Sequence, residues 1–138
     1  MNRTFGGYRV DERIGEGGMA SVYRGTQLSL GRPVAIKVLP ELYVAEFQFR
    51  ERFRREAEAL SRLHHKNIVT VIDRGEVDER PFLVMEYVDG QSLRDILREG
   101  LPPVRTALTY IHGVLSALDH AHALGIVHRD VKPENVLV

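Results

Sequence analysis

Cysteine is absent from this chain of 138 residues, which excludes disulfides, thiolate metal sites and cysteine nucleophiles. That absence fits a reducing compartment, so a cytoplasmic setting is expected. An excess of charge of either sign is missing too: Lys plus Arg number 19 and Asp plus Glu number 19, so no overall field holds the chain on nucleic acid or an anionic membrane. A small ligand or a protein partner is expected instead. Long apolar runs are lacking as well. The opening Met-Asn-Arg-Thr-Phe-Gly-Gly-Tyr has no signal core, and no later stretch approaches the apolar length that spans a bilayer. No repeat or low-complexity segment is visible. What is present, 43% hydrophobic and 28% charged residues, suits one globular domain rather than a disordered or fibrous chain.

The pattern changes along the chain from strand-like to helix-like. Residues 8–14, 21–27 and 33–39 are short, rich in Val, Ile and Tyr, and separated by Gly-containing turns, which predicts three antiparallel strands. From about Glu46 to Leu63, Phe49, Phe53, Leu60 and Leu63 recur at helical spacing, with Glu46/Arg50, Glu51/Arg55 and Glu58/Arg62 as i,i+4 pairs. Residues 68–74 and 81–87 read as two further strands around an acidic turn, giving five strands and one main helix. At Asp89-Gly90 the composition turns. Ser92, with Asp95 as its capping partner, opens a helix that ends at Gly100. Pro102 and Pro103 open a longer helix, closed by Gly125, on which Val104, Leu108, Ile111, Leu115 and Leu118 form one apolar stripe. The boundary falls between residues 1–88 and 89–138.

Three stretches carry chemistry. Ile14-Gly15-Glu16-Gly17-Gly18-Met19-Ala20-Ser21-Val22 lies between two strands, where a glycine-rich hairpin can lay backbone N–H groups over phosphate oxygens, although an isolated Gly-x-Gly is more often an ordinary turn. A dinucleotide-binding fingerprint would open a helix here, and Ser21-Val22-Tyr23 continues as a strand. In Val34-Ala35-Ile36-Lys37-Val38-Leu39, period two puts Lys37 on one face with the small Ala35, which leaves room for a flat ligand beside a cation. Glu56 in the amphipathic helix can fix that ammonium as an ion pair; its competing partner is Arg52, four residues earlier. In His128-Arg129-Asp130-Val131-Lys132-Pro133-Glu134-Asn135, an Asp that can take a hydroxyl proton precedes a Lys by two positions and an Asn by five, a compact set for phosphoryl transfer. His128 is read as a buried structural residue.

Taken in order, the Gly-rich hairpin, Val-Ala-Ile-Lys, the helix Glu, Met-Glu-Tyr-Val and His-Arg-Asp resemble the protein kinase family over nearly the whole chain. Gly15 to Ala20 and His-Arg-Asp-Val-Lys-Pro-Glu-Asn are similar to the bacterial receptor-type serine/threonine kinases. The resemblance implies an α+β fold in which residues 1–88 form the kinase N-lobe and hinge and residues 89–138 begin a helical C-lobe. It implies ATP and Mg2+ as cofactors and Ser or Thr of a protein as substrate. By that resemblance the backbone of Gly15, Glu16, Gly17, Gly18, Met19 and Ala20 covers the phosphates, while Ile14, Val22, Ala35 and Leu137 enclose the adenine. Lys37 holds the α- and β-phosphates and pairs with Glu56 in the active state. Met85 is the gatekeeper, and the main chain of Glu86 and Val88 meets the adenine edge. Asp130 is the catalytic base, Lys132 steadies the γ-phosphate and Asn135 binds magnesium. Leu60 and His128 fall on the hydrophobic spine, and Arg129 suggests control by a phosphorylated activation loop.

Two departures bear on this. Ala20 stands where the family's third glycine is usual, which implies a small backbone adjustment. The family's Asp-Phe-Gly, activation loop and Ala-Pro-Glu segments have no counterpart in these 138 residues. The chain by itself is therefore expected to transfer phosphate poorly. The alternative to a kinase is a nucleotide-binding or interaction module without catalysis; a small-molecule kinase of the aminoglycoside type is disfavoured by Arg129 and Lys132. The stripe from Val104 to Leu118 is expected to be uncovered and to make the second half prone to aggregation.

Overall fold

A computed structural model describes residues 3–17, 20–128 and 131–138. Six strands appear among them: β1 (Arg3–Phe5), β2 (Tyr8–Gly17), β3 (Ala20–Gln27), β4 (Arg32–Val38), β5 (Val71–Val77) and β6 (Arg80–Glu86). All neighbouring pairs are antiparallel, in the order β1-β2-β3-β4-β6-β5. The helices are α1 (Glu41–Val44), α2 (Phe47–Ser61), α3 (Leu93–Glu99) and α4 (Val104–Ala123), and a 3₁₀ turn covers Pro133–Asn135. Contacts divide the chain into two compact units, one of residues up to Arg62 with Thr70–Tyr87, the other of Leu63–Val69 with Val88–Val138.

The expectation of five strands is corrected to six. Gly6 and Gly7, at φ +48° and +91°, reverse the chain in a left-handed turn, so that Arg3 pairs with Val10 and Phe5 with Tyr8. A strand of three residues is too short for alternation to signal it. The other strands begin or end within a few residues of the positions read from the pattern.

In the first unit the sheet sorts its side chains by period two. Val34, Ile36 and Val38 of β4 are completely buried in one cluster with Phe5, Tyr8, Val10, Phe82 and Val84. Each such burial contributes about 1.5–3 kcal/mol. The opposite face carries Ala20, Leu39 and Leu83, onto which α2 packs through Phe53 and Ala57. The polar face of α2 is tied to the sheet by Arg54, whose guanidinium donates to both carboxylate oxygens of Glu76 at 2.6 and 3.1 Å. At the edge of the first cluster the Tyr8 hydroxyl donates to Asp73 at 2.9 Å. Burial, and then that bond, raise the phenol above its ordinary titration range.

Two close approaches define the backbone. A Cβ on Gly25 would lie 2.5 Å from the Arg9 carbonyl oxygen and 2.5 Å from Ile36 Cδ1. The hairpin between β5 and β6 turns on Asp78 and Glu79, both in the left-handed region at φ 51° and 63°, where glycine is the usual solution.

In the second unit Ser92 caps α3 by accepting the Asp95 N–H at 3.2 Å, as its spacing predicts. Pro103 precedes the first turn of α4, and Gly125 follows its end at φ +76°. The apolar stripe of α4 is exposed at Val104, Leu108, Ile111 and Leu115, between 51% and 77% of each residue's surface. Among the described residues no helix is long and apolar enough to cross a membrane.

Gly25→Ala is expected to destabilise the first unit by about 1–3 kcal/mol, because one obstacle is backbone and cannot rotate away; a lowered urea midpoint at unchanged slope checks it. Glu79→Gly is expected to stabilise by about 1 kcal/mol through relief of the left-handed penalty, read in the same unfolding experiment. The pair lost with it, Glu79 to Arg50 at 4.0 Å, is long, and its Glu79 side is 79% exposed, so it offsets little of that gain.

Candidate active site

Strand β4 carries Lys37 between β3 and β6. Its cross-strand neighbours are Val22 and Leu83, and those of Ala35 are Arg24 and Met85. Directly opposed residues share a face of a sheet. Val22, Ala35, Lys37 and Met85 therefore stand on one face of three adjacent strands, the face that α2 also covers. Ala35 is nearly buried, Lys37 and Met85 half-buried.

Glu56 sits on α2 between the inward-facing Phe53 and Ala57. Its carboxylate accepts from Arg52 Nε at 3.3 Å in an i,i+4 pair, with both side chains more than half exposed. Of the two partners open to it from the sequence, this structure has it with Arg52. Among the described residues no ion pair joins it to Lys37.

The hairpin between β2 and β3 pairs Gly15 with Val22, Glu16 with Ser21 and Gly17 with Ala20, after a register shift between Arg13 and Gly15. A Cβ on Gly15 would meet nothing within 4 Å, so packing makes no demand for glycine there. The space beside Gly15 is open. Ile14 beside it is 46% exposed. Gly18, Met19 and Asp130 lie outside the described residues.

At the end of β6, Glu86 is held twice by Thr70. Its N–H donates to the Thr70 carbonyl at 2.9 Å, and its carboxylate accepts the Thr70 N–H at 2.8 Å. Val88 accepts the Gly90 N–H at 3.1 Å.

The second unit carries Lys132, Asn135 and Leu137, all exposed. The 3₁₀ turn follows Lys132 directly, and the Asn135 N–H donates to the Lys132 carbonyl at 2.9 Å. The segment after it is strapped to the start of α3. Leu93 N–H donates to Val136 at 2.7 Å, Val138 N–H donates to Gln91 at 2.8 Å, and Leu137 bridges Ser92. Arg94 pairs with Glu134 at 3.3 Å. Gly90 makes the strap possible, since a Cβ there would sit 2.3 Å from the Val138 carbonyl oxygen. Nothing in the residue pattern signals this strap, because main-chain bonds leave no side-chain signature. The expectation that His128 is buried is corrected: it is exposed, as are Val127 and Val131, because this loop gains little apolar cover.

Residues 8–138 match the protein kinase domain. The chain belongs to the protein kinase family. Among curated relatives, this kinase chain is 46% identical over 132 residues to the serine/threonine-protein kinase PknL of Mycobacterium tuberculosis, covering 95% of this chain and 33% of that protein. It is 44% identical over 137 residues to the serine/threonine-protein kinase PrkC of Bacillus subtilis, covering 99% of this chain and 21% of that one. The crystal structure of the Mycobacterium tuberculosis PknI kinase domain superposes with a TM-score of 0.81 at 38% identity, covering 99% of this chain and 56% of that chain. The kinase chain thus spans about a third or less of the length of these curated relatives.

A kinase-family nucleotide fits what this face offers. Its polyphosphate suits a cation beside an open glycine backbone, and its flat base suits the small Ala35. For magnesium, Asn135 offers one neutral amide oxygen. Among the described residues no group of three or more His, Asp or Glu side chains could hold a metal ion. A magnesium ion normally keeps waters and phosphate oxygens as most of its ligands, so one protein oxygen is compatible with it.

Ser92→Ala is expected to cost about 1 kcal/mol by removing the α3 cap. It is also expected to loosen the strap, so the Val138 amide should exchange faster with solvent in the variant while the Ile36 amide in the sheet does not change.

Proposed function

We propose that this chain contributes the nucleotide-binding and catalytic-loop parts of an enzyme that transfers the γ-phosphoryl group of Mg-ATP to Ser or Thr hydroxyls of proteins. The observation that carries the proposal is the placement of Lys37 beside Ala35, Val22 and Met85 on one sheet face. The names of the relatives support the choice of a protein hydroxyl as acceptor.

In this reading Lys37 neutralises the α- and β-phosphates, and the backbone N–H groups of the Gly15–Ala20 hairpin cover them. Ile14, Val22 and Ala35 offer apolar surface to the base, Met85 limits its depth, and the main chain of Glu86 and Val88 bonds its edge. Asp130 accepts the proton of the attacking hydroxyl, and Lys132 offsets charge on the transferring group. Asn135 would hold a bound magnesium ion, which would supply charge neutralisation on the phosphates. Glu56 orients Lys37 when it leaves Arg52, so the observed Arg52 pair belongs to a resting arrangement.

Calorimetric titration of the chain with Mg-ATP tests the binding half. Lys37→Met is expected to weaken binding at least about tenfold, the loss of a charge-assisted contact worth roughly 1.5–3 kcal/mol. Equal affinity in a folded Lys37→Met chain overturns the assignment of Lys37. For the catalytic half, Asp130→Asn in this chain fused to the remainder of a related kinase domain is expected to slow labelled phosphate transfer to a Ser/Thr protein by about 10²–10⁴-fold. An unchanged rate overturns the role of Asp130.

A further inference from the structure

We propose that His65 and His120 form a pH-sensitive latch, which holds residues 63–69 against α4 at neutral pH and releases them in mild acid. The segment belongs to the second unit, and its bonds to α4 run largely through imidazole nitrogens. His65 Nδ1 accepts the Asn67 N–H at 3.0 Å, and its Nε2 lies 3.0 Å from Ser116 Oγ. His120 Nε2 accepts the His64 N–H at 3.3 Å. The two rings are 5.4 Å apart between centroids and tilted by 37°.

A backbone N–H can only donate, so each nitrogen that receives one must keep its lone pair. That settles the protonation state of the latched form. His65 is neutral with its proton on Nε2, donating to Ser116; His120 is neutral with its proton on Nδ1. A proton added to His65 Nδ1 or to His120 Nε2 turns an acceptor into a donor that faces another donor. If both rings are protonated, two like charges also stand 5.4 Å apart between ring centroids. The other tie between segment and helix, Asn67 Nδ2 to the Gly113 carbonyl at 3.3 Å, does not titrate.

The surrounding charges do not cancel this. On the segment side stand Arg62, His64 and Lys66; on α4 stand His112, one turn before Ser116, Asp119 beside His120, and His122. All are exposed. Asp119 is the one carboxylate of this set, and among the described residues it makes no ion pair with either ring.

The sign follows from proton counting. The latched form binds no proton at these two nitrogens, while the released form can bind both, so acid favours release and the latch weakens as pH falls. Because residues 63–69 join α2 to β5, release frees the connection at the C-terminal end of the helix that carries Glu56.

Amide hydrogen exchange of the chain at about pH 7.5 and about pH 5.5, corrected for intrinsic rates, tests the latch. Protection of the His64 and Asn67 amides is expected to fall at least about tenfold in acid, while that of Ile36 stays within about twofold. In the double variant His65→Gln, His120→Gln that difference is expected to vanish. Equal protection at the two pH values, or a pH dependence that survives in the folded double variant, overturns the proposal. Should the double variant not fold, the ring-proton NMR titration of the wild-type chain decides. Both rings must titrate in step with the loss of protection, and titration without that loss refutes the latch.

Discussion

The register of β4 is the constraint on which the first unit depends. This strand is paired on both sides, and it places Val34, Ile36 and Val38 in an apolar core while turning Ala35 and Lys37 the other way. A slip of one residue would drive an ammonium into that core and expose three apolar side chains. The first error alone would cost several kcal/mol in desolvation. Stability and the position of the cation are therefore one property. The same core that folds the sheet aims Lys37, and any sequence that keeps the alternation keeps the aim.

The second unit solves a different problem. Its loop residues are largely exposed, apolar ones included, so burial cannot fix them. Main-chain bonds from Gln91 and Leu93 to the segment after the 3₁₀ turn do that work, seeded by the Ser92 cap and admitted by the missing side chain at Gly90. The 63–69 segment is fastened in yet another way, through ring nitrogens that accept backbone N–H groups. One chain thus uses apolar packing, backbone pairing and neutral imidazoles for three positioning tasks, and these respond differently to solvent. Denaturant acts chiefly on the first and acid chiefly on the last.

Much of this was legible in the residues, for identifiable reasons. Alternation in Val34–Leu39 shows both the strand and its faces, because period two has one reading when the apolar positions are so regular. The Ser92 cap, the Pro102-Pro103 start and the Gly125 stop bound two helices, because those residues act locally. Strand β1 escaped notice because its three residues carry no periodicity, and the strap at Leu137 because backbone pairing has no composition. The partner of Glu56 was open between Lys37 and Arg52. Helical spacing offers the nearer residue, and the fold decides which one holds it, here Arg52.

Leu137 illustrates what backbone fastening permits. Its neighbours on both sides, Val136 and Val138, carry the bonds to α3, so its own side chain bears none of the load. The address of that position is set by peptide groups common to every amino acid, while its shape is free to vary. Steric tuning at residue 137, from a broad leucine to a β-branched or smaller group, can thus alter whatever docks against it without relocating the point of contact.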